Sequence, residues 1–153
     1  MKKLLLFSVV LMILSDCVSQ NLRTGKQGIL GEIRWIEGNV MPTAEDTSYI
    51  NKTEGEPVKR VIYIYKAIKR DEAKPYDGVF YTDIKTELIR KIKSNTQGKF
   101  QVSLPPGKYS LFVKEKGGLF ANTFDGENYI NPVTVQPEKF TEIQILVNYR
   151  AFY

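Results

Sequence analysis

Residues 95–113 read NTQGKFQVSLPPGKYSLFV, and this stretch decides the predicted fold of the chain. Apolar residues alternate with other residues on both sides of a Pro-Pro-Gly turn: Phe100, Val102 and Leu104 before it, Tyr109, Leu111 and Val113 after it. Alternation with a period of two around a tight turn predicts a β-hairpin, with the apolar side chains on one face of each strand. Pro106 presets one turn dihedral and Gly107 accepts the positive φ that follows, which predicts a type II turn.

The residues predicted to build this hairpin are Gly98, Phe100, Leu104, Pro106, Gly107 and Tyr109. We interpret them as residues that form the fold and not as a binding motif, because turn chemistry and apolar alternation account for each of them. The same reasoning predicts further strands at residues 28–40, 60–67, 79–83, 86–94, 129–135 and 140–149. Residues 86–94 also suit a short helical face, but their length favours a strand. Short strands separated by frequent turn signals predict an all-β sandwich or barrel.

Composition narrows the function of the chain. Its 153 residues contain no His and a single Cys, Cys17. His is the usual general base near neutral pH and a common metal ligand, so most hydrolytic and metal-centred chemistries lack their main residue. One Cys allows no disulfide within the chain. The formal net charge of +5 is spread along the sequence, which favours a solvated basic surface over nucleic-acid binding. We expect no cofactor.

The first 19 residues, MKKLLLFSVVLMILSDCVS, have the pattern of a secretory signal peptide. Two lysines precede an apolar run that is too short to span a bilayer as a stable helix. Two cleavage routes remain open. A lipoprotein-type cut would make Cys17 the acylated first residue, although Asp16 departs from the usual small residue at that position. The alternative is an ordinary cut after Ser19. Both routes predict export, followed by a tether at residues 20–27 and a domain at residues 28–153.

The order of these segments resembles the carboxypeptidase regulatory-like family, in which Gly-x-Phe is followed by Leu-x-Pro-Gly-x-Tyr. The corresponding residues here are Gly98 and Phe100, then Leu104 and Pro106 to Tyr109, with weaker matches around Gly31 and Val61. The resemblance implies an antiparallel seven-stranded Greek-key sandwich of the transthyretin (prealbumin-like) type. The chain also resembles exported proteins of Bacteroidetes-type bacteria. These resemblances imply a non-catalytic envelope module, lipid-anchored in the periplasm or at the outer membrane, that binds a protein partner or, alternatively, a glycan.

Enzymes of related architecture give a further alternative, a small transthyretin-like hydrolase. Hydroxyisourate hydrolases end in Tyr-Arg-Gly-Ser, to which Tyr149 and Arg150 are partly similar, but their catalytic His residues have no counterpart here. Intradiol dioxygenases hold iron through Tyr and His, and the His half of that set is missing. We therefore predict no enzymatic activity and no catalytic, cofactor-binding or metal-binding residues. Asp125, Glu127 and Asn128 could form either a cation site or an ordinary turn, and the turn is favoured.

Two segments are the predicted contact regions, because neither is needed to build the sandwich: residues 41–58 and residues 119–129. The aromatic residues provide a second pointer to binding. A small sandwich cannot fit all of them on one face, so either some form a surface patch or both faces of a sheet are used. The residues concerned are Trp35, Tyr63, Tyr65, Phe112, Phe120 and Phe124.

Overall fold

The computed structural model describes residues 26–41 and 53–153. The predicted signal peptide with Cys17, most of the predicted tether, and residues 42–52 of the predicted long loop lie outside these ranges. The described residues form ten β-strands: β1 (Gly28–Asn39), β2 (Glu56–Pro57), β3 (Val61–Lys66), β4 (Phe80–Tyr81), β5 (Leu88–Lys93), β6 (Lys99–Ser103), β7 (Gly107–Glu115), β8 (Gly118–Phe120), β9 (Pro132–Val135) and β10 (Phe140–Phe152). The predicted all-β class is confirmed, and 86–94 contains a strand, β5.

The strands form two sheets that pack face to face. In the first sheet, β1 lies between β10 on one side and both β6 and β2 on the other. In the second sheet the order is β5-β3-β7, followed by β9 along one half of β7 and by β8 and β4 along the other. Most pairs are antiparallel, but β1 and β10 run parallel. The prediction of purely antiparallel pairing was therefore wrong here, because the intervening chain provides the long crossover that parallel neighbours require.

The predicted hairpin at residues 98–113 is also wrong. β6 pairs with β1 in the first sheet, with Phe100 opposite Gly31, whereas β7 pairs with β3 in the second sheet, with Leu111 opposite Ile64. Pro106 and Gly107 therefore carry the chain across from one sheet to the other. The φ of Gly107 is +157°, which is far from the value of about +80° that a type II turn requires. Packing against two different sheets buries both apolar runs more completely than a two-stranded ribbon could.

The inward faces of the two sheets share one core. Alternate residues of six strands meet there, as the period-two pattern predicts: Ile29 and Ile33, Ile62 and Ile64, Phe100 and Val102, Leu111 and Val113, Val133 and Val135, Ile145 and Val147. The predicted inward residues Leu104 and Tyr109 join this core and are at most 7% exposed. Each fully buried aliphatic or aromatic side chain contributes about 1.5–3 kcal/mol relative to an exposed one, so this layer holds the sheets together.

A second apolar cluster covers the outer face of the second sheet. Phe112 of β7 is fully buried there, against Tyr65 of β3 and Tyr81 of β4, with ring centroids 5.7 and 5.3 Å away. Ile68 and Ile130 cover these rings from two loops. The prediction that β7 buries apolar residues on one face only was therefore wrong: the central strand of this sheet is enclosed on both faces. β3 is covered less completely on this face, where Tyr65 is buried and Tyr63 is partly buried.

Candidate functional site

A charged group lies at one end of the core, around Glu115. Alternation along β7 places this residue on the inward face after Tyr109, Leu111 and Val113, and its side chain is only 5% exposed. The Glu115 carboxylate accepts one hydrogen bond from Arg60 Nε at 2.5 Å and another from Tyr149 Oη at 3.0 Å. We call Arg60, Glu115 and Tyr149 the Glu115 cluster.

The neighbours of the Glu115 cluster fix its geometry. Ser94 Oγ accepts the backbone N–H of Arg60 at 2.8 Å, which positions the start of β3. Trp35 of β1 packs edge-to-face on the Tyr149 ring with centroids 5.1 Å apart, and the Arg60 guanidinium lies 5.7 Å from the Trp35 ring. Cation–π and aromatic contacts of this kind each add about 0.5–1.5 kcal/mol. The group therefore connects both sheets.

The chemistry of the Glu115 cluster is that of a structural ion pair. Burial raises the pKa of Tyr149, and the adjacent Glu115 charge and hydrogen bond raise it further, so the phenol stays protonated and donates to the carboxylate. Both Glu115 oxygens already have a donor. Arg150, the second residue of the motif that is partly similar to the hydrolase terminus, is exposed; its guanidinium lies 5.9 Å from the Tyr149 ring, whereas the donors to Glu115 are Arg60 and Tyr149. Sequence reasoning missed Arg60 and Glu115, although the register of β7 contained a signal for Glu115.

A second polar group is formed where two loops meet outside the second sheet. The backbone N–H of Arg70 donates to Asn128 O at 2.9 Å, and Ile130 N–H donates to Ile68 O at 2.9 Å. These bonds align the segment after β3 with the segment between β8 and β9. The side chains that they display together are Lys69, Arg70, Lys108, Phe124 and Tyr129, which we call the loop surface.

Cations lie over aromatic rings throughout the loop surface. The Arg70 guanidinium is 5.2 Å from the centroid of Phe124, a residue that is 41% exposed. The ammonium groups of Lys69 and Lys108 lie 5.4 and 4.3 Å from the Tyr129 ring. Beside these rings is an open cleft of about 430 Å³, lined by Lys69, Arg70, Asp71, Glu127 and Asn128. Guanidinium and aromatic groups held side by side are typical of protein contact surfaces.

Hydrogen bonds in the turn at residues 125–129 hold the neighbouring residues of the loop surface in position. Asp125 Oδ1 accepts the backbone N–H groups of Glu127 and Tyr129 at 3.0 and 2.9 Å, as in a tight Asx turn. Lys108 Nζ donates to Asp125 Oδ2 at 3.1 Å and to Glu127 Oε2 at 2.5 Å. The predicted turn is thus present in the structure. Asn128 completes the turn with a φ of +66°.

These contacts shift the pKa values of two partners in opposite directions. Hydrogen bonds from Lys108 to Glu127 and Asp125 raise the pKa of Lys108. Partial burial works to raise the pKa of Asp125, but the two backbone N–H donors and Lys108 outweigh it, and this pKa lies below its usual range. The turn is therefore charged and closed at neutral pH.

The six aromatic residues singled out in the sequence differ in their exposure. Tyr65, Phe112 and Phe120 are buried, and Trp35 and Tyr63 are partly buried against the two clusters. Phe124 is the one of the six that is exposed. The predicted contact region at residues 119–129 is therefore only partly a surface. Leu119, Phe120 and Ala121 are buried, so the prediction that this region is dispensable for the sandwich was wrong for them, and the exposed part begins near Phe124.

Three comparisons with known proteins bear on the chain. No family model, no curated protein and no solved structure matches it. Within residues 26–41 and 53–153, no group of three His, Cys, Asp or Glu side chains could hold a metal ion. In the same residues no helix is long and apolar enough to cross a membrane.

Proposed function

We propose that this protein is an exported, non-catalytic β-sandwich module that binds a protein partner through the loop surface. The observation that carries the proposal is Phe124, which is 41% exposed with the Arg70 guanidinium over its ring. Arg and aromatic residues, Phe among them, are enriched at protein interfaces, and Arg is frequent among the residues that contribute most of the binding energy. The backbone bonds between the two loops hold these side chains in place, which lowers the ordering cost of binding.

The charge of the loop surface indicates the chemistry of the partner. Lys108 is neutralised by Asp125 and Glu127. Lys69 and Arg70 form cation–π contacts, and within the described part of the chain neither forms a salt bridge. Their charges remain available to an incoming group. We therefore expect a partner that presents carboxylates next to an apolar or aromatic residue.

A non-catalytic role fits the chemistry of the Glu115 cluster. The one strongly buried carboxylate in the described residues is already bonded by Arg60 and Tyr149, and its role is to join the sheets. The sequence contains no His to move protons near neutral pH. A small hydrolase would need a free acid or base in a pocket, and the Glu115 carboxylate lacks that freedom.

The cellular placement and the family remain part of this proposal. The leader at residues 1–19 supports export, with a lipid on Cys17 as the favoured anchor and an unmodified chain starting at Gln20 as the alternative. Seven of the ten strands have four or more residues, which supports a seven-stranded, transthyretin-like sandwich of the carboxypeptidase regulatory-like type. Mass spectrometry of the mature N-terminus tests the anchor: a diacylated or triacylated Cys17 supports it, and a free Gln20 contradicts it.

Capture from an envelope extract tests the binding surface. The wild-type domain is compared with the double variant Arg70→Ala/Phe124→Ala and with Lys91→Ala. Lys91 lies 4.9 Å from the Tyr63 ring and provides a matched cation–π pair elsewhere on the molecule. We expect the same protein to be recovered by wild type and Lys91→Ala and to be lost by the double variant. Recovery that does not differ among the three contradicts the proposed surface.

A glycan is the alternative ligand of the same surface, because the cleft beside Tyr129 is polar and Phe124 offers a stacking ring. Titration calorimetry with envelope polysaccharide distinguishes the two. Heat that disappears in Phe124→Ala but not in Lys91→Ala would favour the glycan over the protein partner.

A further inference from the structure

The outer edge of β10 is long, and no strand among the described residues pairs with it. Within residues 26–41 and 53–153, β10 is thirteen residues long and pairs with β1 alone. The carbonyl of Lys139 accepts a hydrogen bond from Gly28, so the alternate residues 141, 143, 145 and 147 direct their N–H and C=O groups towards β1. The N–H and C=O groups of the intervening residues therefore point away from β1. These residues are Phe140, Glu142, Gln144 and Leu146. A strand edge of this kind is a template for another strand.

The other sheet edges have features that discourage pairing. β5 displays three exposed cations, at Arg90, Lys91 and Lys93, and β9 has only four residues and begins with Pro132. β2 and β4 have two residues each, and β6, a further edge strand of the first sheet, has five residues and begins with the exposed Lys99. Lys, Pro and short length are the usual protections of an edge. β10 contains neither Lys nor Pro, and most of its residues are apolar or aromatic. Its one irregularity is a bulge between Val147 and Arg150.

The sequence of β10 is complementary to itself. Its two charged residues, Glu142 and Arg150, lie at equal distances on either side of Leu146, and so do Phe140 and Phe152. Antiparallel pairing of two copies about Leu146 would therefore bring Glu142 of one copy to the level of Arg150 of the other, with aromatic rings at both ends. Because of the bulge, Arg150 lies one residue, about 3.3 Å, away from the position directly opposite Glu142. Both side chains are long enough to cover that distance. Leu146, with its N–H and C=O directed outwards, suits the hydrogen-bonded central pair.

Space beside the edge is consistent with an added strand. A cleft of about 400 Å³ separates β9 from β10 and is lined in part by Val133, Ile143 and Ile145. We propose that a second copy of this chain pairs antiparallel with β10, joining the two first sheets into one continuous sheet across a two-fold axis. This isologous contact uses none of the loop surface, so it leaves that surface open in both copies.

The oligomeric state of the exported, purified chain tests the proposal. We expect sedimentation velocity to show a concentration-dependent dimer. In Leu146→Lys, two like charges would meet at the two-fold axis, and we expect at least a tenfold weaker dimer. Leu30→Lys is the matched control, because Leu30 lies on β1, also outside the buried core, and one strand away from the proposed seam. Circular dichroism verifies that both variants fold.

A charge exchange tests the register. Glu142→Arg and Arg150→Glu each turn two attractive pairs into repulsive ones. Exposed pairs contribute up to about 1 kcal/mol each, so the loss of both attractions weakens the dimer by up to about 30-fold, and we expect the new repulsion to weaken it further. The double variant restores both pairs and should recover the wild-type affinity. A monomer at every concentration, a dimer equally sensitive to both Lys variants, or failure of the double variant to recover affinity would overturn the proposal.

Discussion

Replacing Glu115 by Gln tests whether the Glu115 cluster joins the two sheets. The amide keeps the size of the side chain but removes its charge, and it cannot accept hydrogen bonds from Arg60 and Tyr149 with both of its terminal atoms. A hydrogen bond to a charged group contributes about 1.5–3 kcal/mol and a neutral one about 1 kcal/mol. The Arg60 side chain is 28% exposed, so water recovers part of the loss at the guanidinium. We expect the free energy of unfolding to fall by about 2–3 kcal/mol.

Urea unfolding followed by tryptophan fluorescence measures this change directly, because Trp35 contacts both Arg60 and Tyr149. With a urea dependence of about 2 kcal/mol per molar, the midpoint should move down by about 1 M. The control is Glu87→Gln, which breaks a pair with Lys66 at 4.0 Å whose side chains are 70% and 69% exposed. That change should cost less than about 0.5 kcal/mol. Equal midpoints for the two variants would refute a structural role for the buried pair.

Three further changes probe other parts of the fold. Tyr81 is 1% exposed, and its hydroxyl has no hydrogen-bond partner among the described residues. Tyr81→Phe should therefore leave the free energy of unfolding unchanged or raise it by up to about 2 kcal/mol. A loss above about 1 kcal/mol in urea unfolding would contradict this. Gly98 has a φ of +73°, and an added Cβ would lie 2.3 Å from Ile33 O. Gly98→Ala should therefore lower the free energy of unfolding by about 2–4 kcal/mol. The control Gly126→Ala, where the added Cβ has open space around it, should lower it by less than about 1 kcal/mol. The lowered pKa of Asp125 means that its contribution to stability is complete above the ordinary Asp pKa of about 3.9 and is lost as the pH falls through the lowered value. The melting temperatures of wild type and Asp125→Asn should therefore begin to converge only below about pH 3.9 and should meet below the lowered pKa; a gap that does not narrow as the pH falls through this range would contradict the assignment.

The sequence predicts which segments are strands better than it predicts which strands pair. Alternation at Phe100 and Val102 shows which side chains face inwards, and both are buried. The turn at Pro106 shows only that the chain changes direction. Whether the next strand joins the same sheet or the opposite one depends on β1 and β3, which lie far away in the sequence, and a local pattern contains no information about them.

The candidate site illustrates the same limit. Arg60 and Glu115 are 55 residues apart, and only the inward register of β7 indicates that the latter is buried. Lys69 and Tyr129 meet because two loops pair over the outer face of a sheet, and in the sequence these loops are merely polar segments. Phe124 was identified from the sequence as one of six aromatic candidates, but its exposure depends on how those loops close.

The central claim is that the chain crosses between two sheets at Pro106 and Gly107. Backbone proton–proton contacts in solution NMR test it most directly. We predict close contacts between β1 and β6, at Gly31 and Phe100, and between β3 and β7, at Ile64 and Leu111. A ladder of contacts that instead joins Val102 to Leu111 would mean that β6 and β7 form one hairpin, and it would contradict the account.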